Sequence, residues 1–245
     1  MDPKVIYEDE QLLVLNKPAG WIVNEAKTTQ GQKVIQQWLQ NKAYALAKDR
    51  GMRSGIVHRL DKETSGILVV AKTKQAFENL QEQFKKRLVR KTYTALVHGK
   101  VEPEEGSINV PLGRLPWNRE RFGVLPGGRE AETRYRVISN FQARNAKLRL
   151  FPISNQKYSL LELVPKTGRT HQIRVHLKYI GHPIVSDEFY AGRKTARRDR
   201  TWCPRLFLHA SGIKFTHPTS KKPVSIDSEL STDLESSLKK LETIR

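Results

Sequence analysis

Apolar positions along this chain fall into two patterns, and each predicts a type of element. Short runs of aliphatic and aromatic residues at Val5 to Tyr7, Leu12 to Leu15, Ile67 to Ala71, Tyr93 to Val97, Thr133 to Ile138, Lys147 to Phe151, Leu160 to Val164 and Leu206 to Phe215 read as strands. The first two are joined across Glu8, Asp9 and Glu10, and Lys17-Pro18-Ala19-Gly20 ends the second. Spacings of three and four mark helices instead: Val34, Ile35, Trp38 and Leu39 share one face, and Phe77, Leu80, Phe84 and Leu88 share another directly after the Ile67 to Ala71 strand. A third helix is predicted from Thr232, whose spacing to Glu235 forms a capping box and whose stripe is Leu234, Leu238 and Leu241. Strands with intervening helices run throughout, which excludes an all-α fold and predicts a mixed, strand-rich one; there is no internal repeat.

A length of 245 residues suits one large domain, read here as 1–245. The N-terminus, MDPKVIYEDEQLLV, has no basic segment followed by an apolar one, and no run approaches the roughly 20 apolar residues of a membrane span. A soluble, cytoplasmic protein with no membrane partner is expected. Cys203 is the only cysteine, so an intrachain disulfide and a thiolate metal cage are excluded, and a structural thiol is expected.

Charge changes the picture. The chain carries 44 Lys and Arg against 25 Asp and Glu, a formal charge of +19, and a field of that size attracts polyanions whatever the fold. The cations cluster at Lys85, Lys86, Arg87, Arg90 and Lys91, at Arg114, Arg119, Arg121 and Arg129 in a Gly/Pro-rich stretch, and at Arg193, Lys194, Arg197, Arg198 and Arg200. These are candidate phosphate contacts, which position a nucleic acid without reading its sequence. The last cluster, GRKTARRDR, reads as a loop that becomes ordered on RNA.

Within HRLDKETSGILVVAKT (58–73), Asp61 lies in a turn-like stretch between Ile56-Val57 and the Ile67 to Ala71 strand. A carboxylate so displayed is a candidate nucleophile or base; from the residues alone, a turn former or surface ion-pair partner is the commoner role of such an Asp. Other chemistry finds no pattern. His171 and His176 belong to HQIRVH, unlike the HExxH helix of zinc hydrolases, GxxxxGK[ST] is absent, and the glycines of GRLPWNRERFGVLPGG do not follow the dinucleotide pattern. No metal and no cofactor are expected.

HRLDKETSGILVVAKT resembles the signature of the RluA family of pseudouridine synthases, and LLVLNKPAGW (12–21), KTYTALVHG (91–99) and LLELVPKTGRTHQIRVHLKYIGHPIVSDEFYA (160–191) resemble further family motifs in the same order. The resemblance implies an α+β fold, a central, mostly antiparallel mixed sheet with flanking helices and loops and a cleft lined by the motifs. It implies isomerisation of uridine in structured rRNA or tRNA by a monomer without a nucleotide cofactor. Asp61 then carries the catalytic carboxylate, Tyr93 stacks on the uracil and assists loss of the C5 proton, and Arg174 pairs with the acid, with Arg169 as the alternative partner. His58, Arg59, Arg169, His171 and Lys17 form the implied RNA-binding group, Arg59 being suited to fill the space left by a flipped nucleotide. For Arg174, Thr170 is expected to cap a helix whose Ile173, Leu177 and Ile180 face the core. The chain goes straight into VIYEDEQLLVLNKPAGW, so no accessory N-terminal RNA-binding domain is expected. Two other classes share parts of this evidence: a non-catalytic RNA-binding or ribosome-assembly protein of the same fold, and a glycosylase acting on a flipped base.

Overall fold

A computed structural model describes residues 1–143 and 156–244; the strand expected at Lys147 to Phe151 lies outside the described residues. In chain order the elements are β1 (Lys4–Glu8), β2 (Leu12–Lys17), α1 (Ile35–Gln40), β3 (Ser65–Ala71), α2 (Lys74–Lys85), β4 (Arg90–His98), β5 (Glu105–Asn109), β6 (Leu112–Leu115), β7 (Asn118–Val124), β8 (Glu132–Ala143), β9 (Lys157–Pro165), α3 (Gln172–Tyr179), α4 (Arg193–Asp199), β10 (Leu208–Thr216), β11 (Pro223–Asp227), α5 (Thr232–Leu238) and β12 (Leu241–Ile244). The fold is α+β, as expected. It divides into two compact units, Met1–Lys91 with Ala210–Glu229 and Thr92–His209 with Leu230–Arg245. Among the described residues, no helix is long and apolar enough to cross a membrane.

In the first unit the strand order is β1-β2-β3-β10, with β11 on β10. β2 and β3 run antiparallel from Leu12 opposite Ala71 to Lys17 opposite Gly66. Their continuous apolar runs have a simple cause: all seven residues of β3 are buried, so both faces of the strand meet protein and no polar alternation is tolerated. Leu12, Val14, Ile67 and Val69 form a core with Ala76, Phe77 and Leu80 of α2. The Thr73 hydroxyl caps α2 by accepting the Ala76 N–H at 3.3 Å. The helix is shorter than its spacing predicts. Arg87 turns into the left-handed region at φ 59°, which ends the helical path and leaves Leu88 64% exposed. Gly66 sits at φ 110°, and a Cβ there would meet the Ala210 carbonyl oxygen at 2.3 Å, so only glycine lets β3 approach residue 210 this closely.

In the second unit the order is β4-β9-β8-β12, with β5 on β8. β8 and β9 pair antiparallel with a register shift between Val137 and Ser139, and Ile138 at that irregularity is 48% exposed. Three expectations are corrected here. Leu241 does not continue the C-terminal helical stripe; α5 stops at Leu238, and Leu241 opens β12, opposite Ala143. The capping position of α5 is Ser231, one residue before Thr232. The basic segment expected to be a loop forms α4, because Ala196 is buried and the Asp199 carboxylate accepts the Ser186 N–H at 2.8 Å and meets His98 Nε2 at 2.9 Å. Beside them Cys203 is fully buried, its thiol donating to the Arg205 carbonyl at 3.2 Å, and burial raises its pKa.

Candidate functional site

In the first unit the loop that carries Asp61 is pinned from both ends. Leu60 is 4% and Thr64 2% exposed, while Asp61 between them is half-buried. The Thr64 N–H donates to the Asp61 carbonyl at 3.1 Å and closes the turn. On the upstream side His58 Nε2 accepts the Val69 N–H of β3 at 2.9 Å, and its ring stacks on Phe84 with centroids 4.9 Å apart. That acceptor role requires a neutral ring at Nε2. Burial, with the Lys91 ammonium as a second cause, lowers the His58 pKa to about 3, and burial lowers that of Lys91 to about 8. Arg59 is exposed.

Lys17, expected among the RNA contacts, is fully buried at the end of β2. Its ammonium donates to the carbonyls of Pro18 at 3.0 Å, Trp21 at 2.9 Å and Lys62 at 3.2 Å. The Lys62 carbonyl also accepts the Gly20 N–H at 2.8 Å. One cation thus ties the loop after β2 to the residue that follows Asp61, and its structural work is to fix the main chain beside the carboxylate.

In the second unit Tyr93 is buried in β4 opposite Leu163 of β9. Arg174 lies on α3, 5% exposed, and grips Asp187 with both arms of its guanidinium: Nε to Oδ2 at 2.7 Å and Nη2 to Oδ1 at 2.8 Å. Asp187 Oδ1 also accepts the Phe189 and Tyr190 N–H groups at 3.0 and 3.1 Å, which folds those rings back under the guanidinium at 5.4 and 5.0 Å. The planar cation is therefore held along one edge by a carboxylate, with two aromatic rings close beside it. Asp187 lies in the PIVSDEFYA stretch of the fourth motif, yet nothing in its spacing singles it out as the partner of Arg174.

The helix start differs from expectation. Thr170 does not cap α3; His171 stands at the N-terminal position in the left-handed region at φ 55°, with no side-chain cap. Gln172, the first helical residue, ties the approach to the helix and β8 instead. Its Oε1 accepts the Thr167 hydroxyl at 2.6 Å and the Arg169 N–H at 3.0 Å, and its Nε2 donates to the Glu132 carbonyl and the Thr133 hydroxyl, each at 3.0 Å. Thr133 in turn meets His176 Nδ1 at 2.9 Å, and burial lowers the His176 pKa to about 4. Arg169 Nε donates to the Glu130 carbonyl at 3.1 Å. His171 Nδ1 lies 2.9 Å from the Tyr190 hydroxyl, with its ring among Phe122, Phe189 and Tyr190. Ile173 and Leu177 are buried as the apolar stripe requires. His171, Arg174 and Arg169 thus belong to one network of α3, whereas His58 and Lys17 brace the Asp61 loop.

Comparison with known proteins gives this geometry a context. An uncharacterized RNA pseudouridine synthase of Synechocystis sp. is 39% identical over 219 residues, covering 88% of this chain and 62% of that protein. The ribosomal large subunit pseudouridine synthase C of Vibrio cholerae is 37% identical, with 97% of this chain and 69% of that one covered. The chain thus spans less than two thirds of the first relative's length. The structure entitled human RNA pseudouridylate synthase domain containing 1 matches in fold at a TM-score of 0.72 and 24% identity, over 99% of this chain and 89% of that one. The family described as RNA pseudouridylate synthase matches residues 11–179, from the threshold of β2 to the last residue of α3. That interval takes in the pinned loop that carries Asp61, the buried Tyr93 and the clamped Arg174 alike, and it makes this chain a member of the RNA pseudouridylate synthase family.

Proposed function

We propose that this protein isomerises uridine to pseudouridine in structured RNA, with Asp61 as the catalytic carboxylate. One observation carries the reading: Asp61 is a half-buried acid at the apex of a loop whose neighbours are pinned by Leu60, Thr64, His58 and the Lys17 ammonium. The isomerisation needs the N-glycosidic bond broken, the uracil turned and C5 joined to C1′, with no net redox change. A fixed carboxylate starts it either by attack on the sugar or by removal of the C2′ proton. Family membership supports assigning Tyr93 to the uracil and to loss of the C5 proton, and Arg174 to holding the acid ionised, with Arg169 as the alternative. It also supports Arg59 as the side chain that meets the RNA when the nucleotide leaves its stack.

Ribosomal RNA of the large subunit is the substrate to test first, because the Vibrio cholerae relative bears that name; tRNA is the second. The family match runs unbroken across the boundary at Lys91, which supports reading both units as one catalytic domain. A monomer in the cytoplasm, acting without nucleotide or metal, completes the proposal. Mapping pseudouridines in total RNA from cells with and without the protein is the test. A site lost on deletion, restored by the wild type and by purified protein on unmodified RNA in chelator, is the expected outcome. RNA binding with no pseudouridine formed on any cellular RNA would leave the non-catalytic alternative.

A further inference from the structure

Trp117 is the most exposed aromatic side chain of the described residues, at 77%. It occupies the two-residue turn Pro116-Trp117 between β6 and β7, which pair from Leu112 opposite Val124 to Leu115 opposite Asn118. The other end of this hairpin is fastened. The Phe122 N–H donates to the Tyr190 hydroxyl at 3.2 Å, the Phe122 ring packs on His171, and the Arg121 guanidinium lies 5.7 Å from the Phe189 ring. Phe122 and Val124 pack against Val175 and Tyr190. The hairpin is thus rooted on the residues that surround Arg174, while its tip offers an indole to solvent.

A bare indole at this position contributes nothing to the core, and hydration of so much apolar surface is unfavourable. Proline before it stiffens the turn. The surroundings select the class of partner: Gly113 to Arg121 carries three arginines and one glutamate in a chain of net charge +19. Arg114 is exposed, with its guanidinium 5.3 Å from the Phe122 ring. An aromatic face flanked by cations is the arrangement on which unpaired nucleobases stack while neighbouring phosphates are neutralised. We infer that Trp117 is a stacking platform for an unpaired nucleobase of the RNA substrate, with Arg114 contacting the adjoining backbone. The inference rests on the RNA-modifying function proposed above and makes the β6–β7 hairpin the element that selects single-stranded over paired RNA.

The full chain and its Trp117→Ala, Trp117→Phe and Arg114→Ala variants are titrated with a short oligouridine and with a blunt RNA duplex of equal length, at several salt concentrations. Trp117→Ala should weaken oligouridine binding roughly tenfold. Its duplex affinity and salt slope should stay unchanged, and Trp117→Phe should recover most of the loss. Arg114→Ala should reduce the salt slope by about one on the single strand. Unchanged oligouridine affinity in Trp117→Ala, an equal loss on both RNAs, or loss of self-association alone would overturn the inference; the last would make the tip a contact between copies. The outcomes separate from those of the catalytic reading. Pseudouridine formation by a Trp117→Ala protein of unchanged RNA affinity removes the platform and keeps the enzyme, whereas selective loss of oligouridine binding in a protein that forms no pseudouridine does the reverse.

Discussion

The Asp61 loop and the Arg174 helix hold their charged residues by opposite means. Around Asp61 the bracing runs through the main chain: Lys17 on three carbonyls, His58 on one amide, and buried Leu60 and Thr64 on either side. Around Arg174 it runs through side chains: a carboxylate at two atoms and two aromatic rings. The difference teaches which kind of damage each region tolerates. A loop held by its backbone keeps its shape when the carboxylate is altered, whereas a cation held by a buried carboxylate is itself part of the packing, and removing it strands Asp187.

The largest expected effect separates the two regions most sharply. Asp61→Asn should lower pseudouridine formation by about 10²–10⁴-fold or more, yet leave the urea unfolding midpoint and most RNA affinity unchanged. Comparable turnover by the purified variant removes Asp61 from the mechanism. Arg174→Ala should lose both activity and stability, the latter by about 3–5 kcal/mol as for other broken buried pairs. Arg174→Lys, which retains charge without the planar fork, should fall between. In the Asp61→Asn background Arg174→Ala should cost stability as before but little further activity. Full additivity in activity would separate the two residues and direct attention to Arg169.

Lys17→Met tests the backbone bracing. It leaves three carbonyls short of a buried donor, at about 1–3 kcal/mol, and should lower kcat with little change in KM. A KM effect alone would return Lys17 to the RNA-binding group.

The smallest effects appear only in acid. His58 and His176 have pKa values lowered by burial from the ordinary 6.5 to about 3 and about 4. The unfolded chain therefore binds protons below pH 6.5 that the folded chain refuses, so their contribution to stability is complete above that pH and declines as pH falls towards 4. Urea midpoints measured down this range should drop in the wild type. His58→Gln and His176→Asn, which can keep the acceptor near its place without titrating, should each flatten the decline, and neither should matter near neutrality. A midpoint that holds constant from pH 7 to about 4.5 would contradict both assignments.

The same contrast explains what could be read from the residues. The Asp61 loop is local: its strand, turn and acid lie within one stretch, and aliphatic runs such as Ile67 to Ala71 announce a strand buried on both faces. The clamp on Arg174 is not local in this sense. Asp187 lies 13 residues away beyond the end of α3 and inherits no periodicity from it. Lys17 is buried although lysine side chains rarely are, and nothing in NKPAGW states that three carbonyls converge on it. The α4 segment reads as a loop because its charges outnumber its one buried alanine, the anchor being Asp199 on His98 and Ser186. Thr170 is a good capping residue by type, but the left-handed backbone at His171 puts the helix start one residue further on.

The sealed state of Cys203 has a practical consequence. The chain's only thiol is fully buried and its pKa is raised, so it offers little thiolate to maleimides or iodoacetamides at neutral pH. The wild-type protein is in effect already a cysteine-free scaffold for labelling. A single exposed substitution such as Leu88→Cys or Tyr179→Cys, at side chains given no part in RNA contact, then takes a dye or spin label at one known point, and either region's encounter with RNA can be timed separately with no background from the native thiol.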